Sequence, residues 1–339
     1  MVALQDIRAS NARINSSLPA GLVGVFVGAT NGIGETTLRE FARRANAPRV
    51  YFVGRSKEAG DRIAAECKSL NPSGQFTFIQ SDLSLIRNAD VVCRTIKEKE
   101  KHINVLWLSQ GSLVQGVRTE EDMNMIMVLM HYSRVRFMVN LLPLLRAAPG
   151  LKRVVSCLAG TKEGQMNLDD FQGWSVPASE VHSSRGHVAS AATLSMEHLA
   201  KQAPEISFIH CFPGLVRSGI GRGTGMWKLR AILALMYPFA AADTRESGER
   251  HLYLLTSAKF PAKSGTEAVQ GVSVGTAVEQ ADDTFGKRSG GTYSVDQYLE
   301  HQSKDLLGVL SRLRQAGATE RMWKLTQDDF VRITGSTEE

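Results

Sequence analysis

The stretch Gly28-Ala29-Thr30-Asn31-Gly32-Ile33-Gly34 decides the fold. An apolar run, Gly24-Val25-Phe26-Val27, leads into it, and a helical pattern, Glu35-Thr36-Thr37-Leu38-Arg39-Glu40-Phe41-Ala42, leads away. Strand, glycine turn and helix in that order make a candidate nucleotide-binding loop. The glycines allow a tight turn and close approach of a pyrophosphate, which then sits on the helix N-terminus.

Working outward, strand-like and helix-like segments alternate along the chain. Candidate strands are Leu22–Val27, Val50–Val53, Phe76–Gln80, Val105–Leu108, Val154–Cys157, Ile206–Phe212 and Thr292–Val295. They are short and rich in Val, Ile and Phe, as strands of a parallel sheet buried on both faces are. Helical patterns such as Ser56–Leu70 and Ile86–Lys101 lie between them. The alternation predicts an α/β fold, a doubly wound parallel sheet of about seven strands with helices on both faces. No Pro/Gly/Ser linker divides the chain, so residues 1–339 read as one domain. Its extra length is an insertion near 215–240, expected to overhang the ligand edge of the sheet, and a C-terminal helical extension over 300–333.

Composition excludes several classes. A net charge of +6 is modest, and no basic run is interleaved with aromatics, so nucleic-acid recognition has no support. Cys67, Cys93, Cys157 and Cys211 form no CxxC pair, which points to buried thiols in a reducing compartment rather than disulfides or a metal site. Residues 1–21 lack an apolar signal core, and Ala231–Ala240 is too short for a bilayer span of about 20 residues. A cytoplasmic location with no transmembrane segment is the expectation.

The second strand ends Val53-Gly54-Arg55-Ser56. An acidic residue here would hold the 2′-hydroxyl of NAD. Arg55 offers a guanidinium suited to a 2′-phosphate instead, so NADP(H) is the expected cofactor.

The spacing of the glycine loop resembles that of the short-chain dehydrogenase/reductase family, with Val27 where that family usually has Thr. Leu108-Ser109-Gln110-Gly111 stands where the family reads Asn-Asn-Ala-Gly, and Pro213-Gly214-Leu215-Val216-Arg217-Ser218 looks like its PGxVxT segment. Glu246-Ser247-Gly248-Glu249-Arg250 and Glu320-Arg321-Met322-Trp323-Lys324 look like a fungal subgroup often associated with secondary metabolism. The resemblance implies a Rossmann-like fold. It also implies a cofactor site of Gly28, Thr30, Asn31, Gly32, Ile33, Gly34, Arg55, Ser56, Asp82, Leu83, Gly111, Pro213, Gly214 and Ser218. In that site Asp82 would accept from the adenine amino group, Leu83 would pack near it, and Ser218 would bind the nicotinamide carboxamide. A homodimer or tetramer is the assembly the resemblance implies.

The family's chemistry uses a Tyr-x-x-x-Lys pair, whose places fall near Val181 and Arg185. No tyrosine occurs between Tyr132 and Tyr237. The family's Ser is replaced by Cys157 or Ala159, and its Asn falls near Met130. The vacated stretch Glu180-Val181-His182-Ser183-Ser184-Arg185-Gly186-His187 offers replacements. His182 and His187 are candidate proton carriers near neutral pH, and Arg185 a cation for ribose hydroxyls or an oxyanion. Tyr132 and Arg136 share helical i,i+4 spacing and read as packing or a surface pair; His198 and His210 read as structural. The apolar insertion, with Met226, Trp227, Leu233, Met236 and Phe239, suits a hydrophobic small molecule.

Three functions fit these residues. The first is an NADP-dependent oxidoreductase for a hydrophobic carbonyl or alcohol with non-standard acid/base groups. The second is a non-redox cyclase, isomerase or dehydratase on the same scaffold. The third is a non-catalytic NADP-binding sensor or scaffold.

Overall fold

The computed structural model describes residues 2–176, 181–214, 216, 243–265, 270–275, 278–300 and 303–339, without the side chains of 181–183. The strands are β1 (Val23–Val27), β2 (Arg49–Gly54), β3 (Gln75–Gln80), β4 (Val105–Leu108), β5 (Arg153–Cys157), β6 (Ser207–Cys211) and β7 (Thr292–Val295). They form one sheet in the order β3-β2-β1-β4-β5-β6-β7, and every pair is parallel. The order reverses between β1 and β4. In a doubly wound sheet that switch point opens the crevice where ligands bind, beyond the carboxyl ends of the strands.

The principal helices are α1 (Leu4–Ala12), α2 (Gly32–Arg44), α3 (Lys57–Leu70), α4 (Ile86–Lys97), α5 (Ser133–Ala147), α6 (Val181–Gln202), α7 (Thr244–Thr256), α8 (Lys304–Gln315) and α9 (Ala318–Thr334). Side chains of α1, α2, α3 and α7 build the core on one face of the sheet. Those of α4, α5, α6, α8 and α9 build it on the other. β1 and β4 are buried throughout, which explains their unbroken apolar runs, while β5 and β6 are equally buried but carry Arg153, Ser156, Ser207 and His210. The expected C-terminal extension is α8 and α9. Except for Val216, the insertion expected near 215–240 lies outside the described residues.

Helix ends follow side-chain chemistry. α3 starts at Ser56, whose Oγ accepts from the Ala59 N–H at 3.2 Å. α4 has no cap of its own, and the Glu121 carboxylate accepts from the N–H groups of Ile86 (2.6 Å) and Arg87 (3.1 Å) instead. α4 stops at Lys97, short of the expected Lys101. The chain then turns so that Glu100 binds Arg49 (2.8 Å) and Tyr51 (3.0 Å).

Arg136 and Tyr132 do not form a pair with each other. The Arg136 guanidinium is fully buried and grips Asp90 at 2.5 and 2.8 Å, while the Tyr132 hydroxyl donates to Asp329 on α9 at 2.7 Å. Arg136 ties α5 to α4, and Tyr132, just ahead of α5, ties its start to α9, so the packing reading of this stretch stands.

Candidate active site

The glycine loop leaves β1 and wraps the N-terminus of α2. Gly28 has φ +77°, and a Cβ there would meet the Gln110 backbone nitrogen at 2.5 Å. A Cβ on Gly34 would sit 2.5 Å from the Gly28 carbonyl oxygen. No side chain fits at either place, so these glycines serve close approach of backbone to backbone. Ser109 fastens the loop, its Oγ lying 3.1 Å from the Val27 carbonyl oxygen and 3.2 Å from that of Gly28.

A cleft of about 430 Å³ opens above this loop at the switch point. Gly28, Thr30, Asn31, Ile33 and Gly34 line one side. Arg55 and Ser56 stand at the end of β2, with Asp82 and Leu83 beyond β3. Gly111 and Pro213 complete the expected set within the cleft. Gly32 opens α2, Gly214 follows Pro213 with φ +72°, and Ser218 lies outside the described residues. The groups a dinucleotide needs converge here: a glycine turn, a helix N-terminus and a cation for a 2′-phosphate. The residues therefore fit the cofactor. No helix among the described residues is long and apolar enough to cross a membrane.

The inner end of the cleft holds a residue that the sequence pattern did not single out. Residues Val128–Tyr132 form a π-helical turn ahead of α5. Such a turn inserts a residue and rotates the next helical turn, and it recurs at functional sites. Leu129 and Met130, the latter where the family's Asn was expected, line the cleft together with Arg134. Arg134 is 2% exposed. Its Nη1 donates to Ser156 Oγ (2.7 Å) and to the carbonyls of Cys157 (3.0 Å) and Leu108 (3.1 Å). Its Nη2 donates to the Gln110 carbonyl, and its Nε to that of Leu129 at 3.3 Å. Among the described residues no carboxylate bonds it. Burial brings its pKa down to about 10, still cationic at neutral pH. Arg153 is a contrasting buried guanidinium, because it caps the carbonyls of Leu254, Ser257 and Gln270 and does not line the cleft. A signal for Arg134 is present in the sequence: arginines in the largely apolar stretch Val128–Leu145 need a reason to be there.

The expected proton carriers are placed differently. His187 does not line the cleft but borders a second cavity of about 460 Å³ with Met166, Trp174 and Val188. Its Nδ1 accepts from the Asn167 N–H (3.2 Å), which leaves Nε2 to donate to the Phe171 carbonyl (3.1 Å). Burial lowers its pKa. Both nitrogens are engaged, so His187 clamps the 167–171 loop onto α6. That corrects its reading as a proton carrier: a ring locked in one tautomer by two backbone groups has no free site for a substrate proton. Arg185 is half-buried on the same helix and does not line the cleft; the side chain of His182 lies outside the described residues. His198 stacks on Trp323 at 4.1 Å, as a structural residue would.

Cys157 and not Ala159 lines the cleft, and Ser156 points away to Arg134, as strand alternation requires. Cys157 and Cys211 are register partners on β5 and β6, and His251 of α7 packs edge-on against Trp107 nearby. Burial pushes the Cys211 thiol up. Against the same penalty, contacts with Cys211 and His251 and the Arg134 charge hold the Cys157 thiol down.

Beyond β5, Glu163 is fully buried beside His210. Its Oε1 accepts from Ser294 (2.5 Å) and Thr193 (2.7 Å). His210 Nε2 accepts from the Ala159 N–H at 3.1 Å, so His210 is structural, as expected. Burial raises the Glu163 carboxyl, but His210 and the two hydroxyls outweigh that and hold it below its usual range. A carboxyl depressed on folding adds stability above its unfolded pKa and loses it as pH falls through the folded value. Glu163→Gln is therefore expected to flatten the loss of stability on the acid side. Thermal melts from neutral to acid pH check this, and an unchanged slope would contradict it.

A family model described as short chain dehydrogenase matches residues 23–164. Over 336 residues the chain is 36% identical to Oxidoreductase AN1596 of Emericella nidulans, covering 96% of this chain and 97% of the relative. The chain belongs to the short-chain dehydrogenase/reductase family. Oxidoreductase andH of Emericella variicolor is 33% identical, with 100% of this chain and 99% of the relative covered. Among solved structures, the Pseudomonas aeruginosa RhlG/NADP active-site complex superposes with a TM-score of 0.53 at 20% identity, over 71% of this chain and 91% of that one. That likeness is one of fold.

Proposed function

We propose that this member of the family is an NADP(H)-dependent oxidoreductase acting on a hydrophobic carbonyl or alcohol metabolite, in secondary metabolism, with non-standard acid/base groups. The observation that carries this reading is the continuous cleft running from the glycine loop and Arg55 to the buried cation Arg134. A bound nicotinamide would supply or accept the hydride. Arg134 would hold ribose hydroxyls or the oxygen on which negative charge develops, in a low-dielectric setting that strengthens the interaction. It stays charged and does not shuttle the proton. His182, at the opening of α6, is the proposed proton donor, and Arg185 lends charge at the same helix end. NADP-bound relatives of the same fold support the choice of cofactor. The four free, buried cysteines suit a reducing, cytoplasmic setting. α9 packs on α4 and α6, so a homodimer would use another face.

One observation favours a second reading. No Tyr, Lys or His is among the described residues lining the cleft. A non-redox cyclase, isomerase or dehydratase needs orientation and charge stabilisation more than a positioned tyrosine. The test is a titration with NADPH and NADH, then a screen of hydrophobic ketones and aldehydes followed at the nicotinamide absorbance. Tighter NADPH binding with substrate-dependent oxidation is expected. Turnover without nicotinamide oxidation would move the protein to the second reading.

A further inference from the structure

From the convergence of Cys157, Cys211 and His251 beside the cleft, we infer a binding site for a soft divalent cation, Zn²⁺ in the first instance. The two Sγ atoms and a ring nitrogen of His251 all lie within 4.8 Å of one another, and all three residues are buried. Tetrahedral zinc with bonds of about 2.3 Å to sulfur and about 2.0 Å to nitrogen needs ligand atoms roughly 3.6–3.8 Å apart. Closing that gap takes side-chain adjustments of an ångström or less.

Three further features fit. Cys157 and Cys211 are held side by side by the β5–β6 register, so the backbone sets the spacing of the thiolates. His251 Nδ1 lies 2.6 Å from the Ser247 carbonyl oxygen, which can only accept, so Nδ1 carries the proton and Nε2 keeps its lone pair. A backbone carbonyl on the far nitrogen is a usual partner of a metal-bound imidazole. The donor set of two sulfurs and one nitrogen, without carboxylate, selects zinc over magnesium or calcium. Zn²⁺ displaces the two thiol protons to solvent, and the resulting cluster is neutral, so it does not repel Arg134. Cys157 is the member that lines the cleft. A fourth ligand, water or a substrate oxygen, would enter from that side. Three protein ligands with an open position are the pattern of a catalytic zinc, which would polarise a carbonyl where the family's tyrosine is missing. That role rests on the proposed carbonyl chemistry; the binding site does not.

The test is a titration of the full chain, reduced and kept anaerobic, with Co²⁺ as a spectroscopic stand-in for Zn²⁺, while NADPH affinity is measured separately. The expected result is a thiolate-to-cobalt charge-transfer band saturating at one ion per chain and bleached by Zn²⁺. Cys211→Ser and His251→Ala should each weaken binding by at least about 100-fold, beyond the roughly 10–100-fold typical when only a ligand's outer hydrogen-bond partner is lost. Should His251→Ala fold poorly, the wild-type band and the Cys211→Ser variant decide. No charge-transfer band in the folded wild-type protein, or unchanged affinity in Cys211→Ser, overturns the site. Loss of the metal signal with NADPH binding intact strikes the metal site alone; absence of NADPH binding strikes the oxidoreductase reading alone.

Discussion

Arg55→Glu is expected to weaken NADPH binding by roughly 10–100-fold and to leave NADH binding unchanged or tighter. Arg55 stands exposed at the end of β2 and lines the cleft, and among the described residues no carboxylate pairs with its guanidinium. It is therefore free to meet a 2′-phosphate without breaking a bond first. Hydrogen bonds to charged groups contribute about 1.5–3 kcal/mol. At about 1.4 kcal/mol per decade, their loss gives the stated range. The variant adds repulsion between two anions and, for NADH, an acceptor for the ribose 2′-hydroxyl. Calorimetric titration with both cofactors checks this, repeated at higher salt, where the wild-type preference should narrow. Equal NADPH affinity in wild type and variant would mean that the phosphate is held elsewhere.

The part of the molecule that this prediction uses was legible in the sequence, and the reason is local. Gly28 to Gly34 and Arg55 follow directly on the buried, mostly apolar strands β1 and β2, and Asp82 follows within two residues of the edge strand β3, whose Phe76, Phe78 and Ile79 still mark it. Once the strands are placed, their carboxyl ends converge by topology alone. The other end of the cleft was illegible because nothing local encodes it. Cys157, Cys211 and His251 come from β5, β6 and α7, and only the sheet brings them together. With no CxxC spacing, the sequence carries no local metal motif. The π-turn at Val128–Tyr132 shifts register inside an otherwise regular helical pattern, so i,i+4 spacing singles out Tyr132 and Arg136 although Arg134 is the one that lines the cleft. His187 stands in the stretch vacated by the family's Tyr and Lys, which is what makes it a candidate proton carrier in the sequence. Its two backbone partners, in a loop that sequence spacing does not locate, make it a clamp.

Arg134→Met should show the largest effect, a loss of about 3–5 kcal/mol in stability together with at least about 100-fold in turnover. The stability loss stems from the partners. The carbonyls of Leu108, Gln110, Leu129 and Cys157 would lose the guanidinium donor that they share. A buried acceptor left unmade costs about 1–3 kcal/mol, and water entering from the cleft would relieve some of the four. The rate loss stems from charge, since removing one preorganised donor from an oxyanion site typically costs about 10²–10³. The two effects are separable because structure needs the donors and catalysis needs the cation as well. Arg134→Lys keeps the charge but not the planar fork, so it should stay destabilised, by thermal melt, while recovering part of kcat at a temperature where it is folded. NADPH affinity, read by titration, should fall less than kcat in both variants if the cation acts on the developing oxyanion. It should fall in step with kcat if the ribose is the target. Equal kcat in Met and Lys variants, both folded, would leave Arg134 as scaffolding for the strand ends.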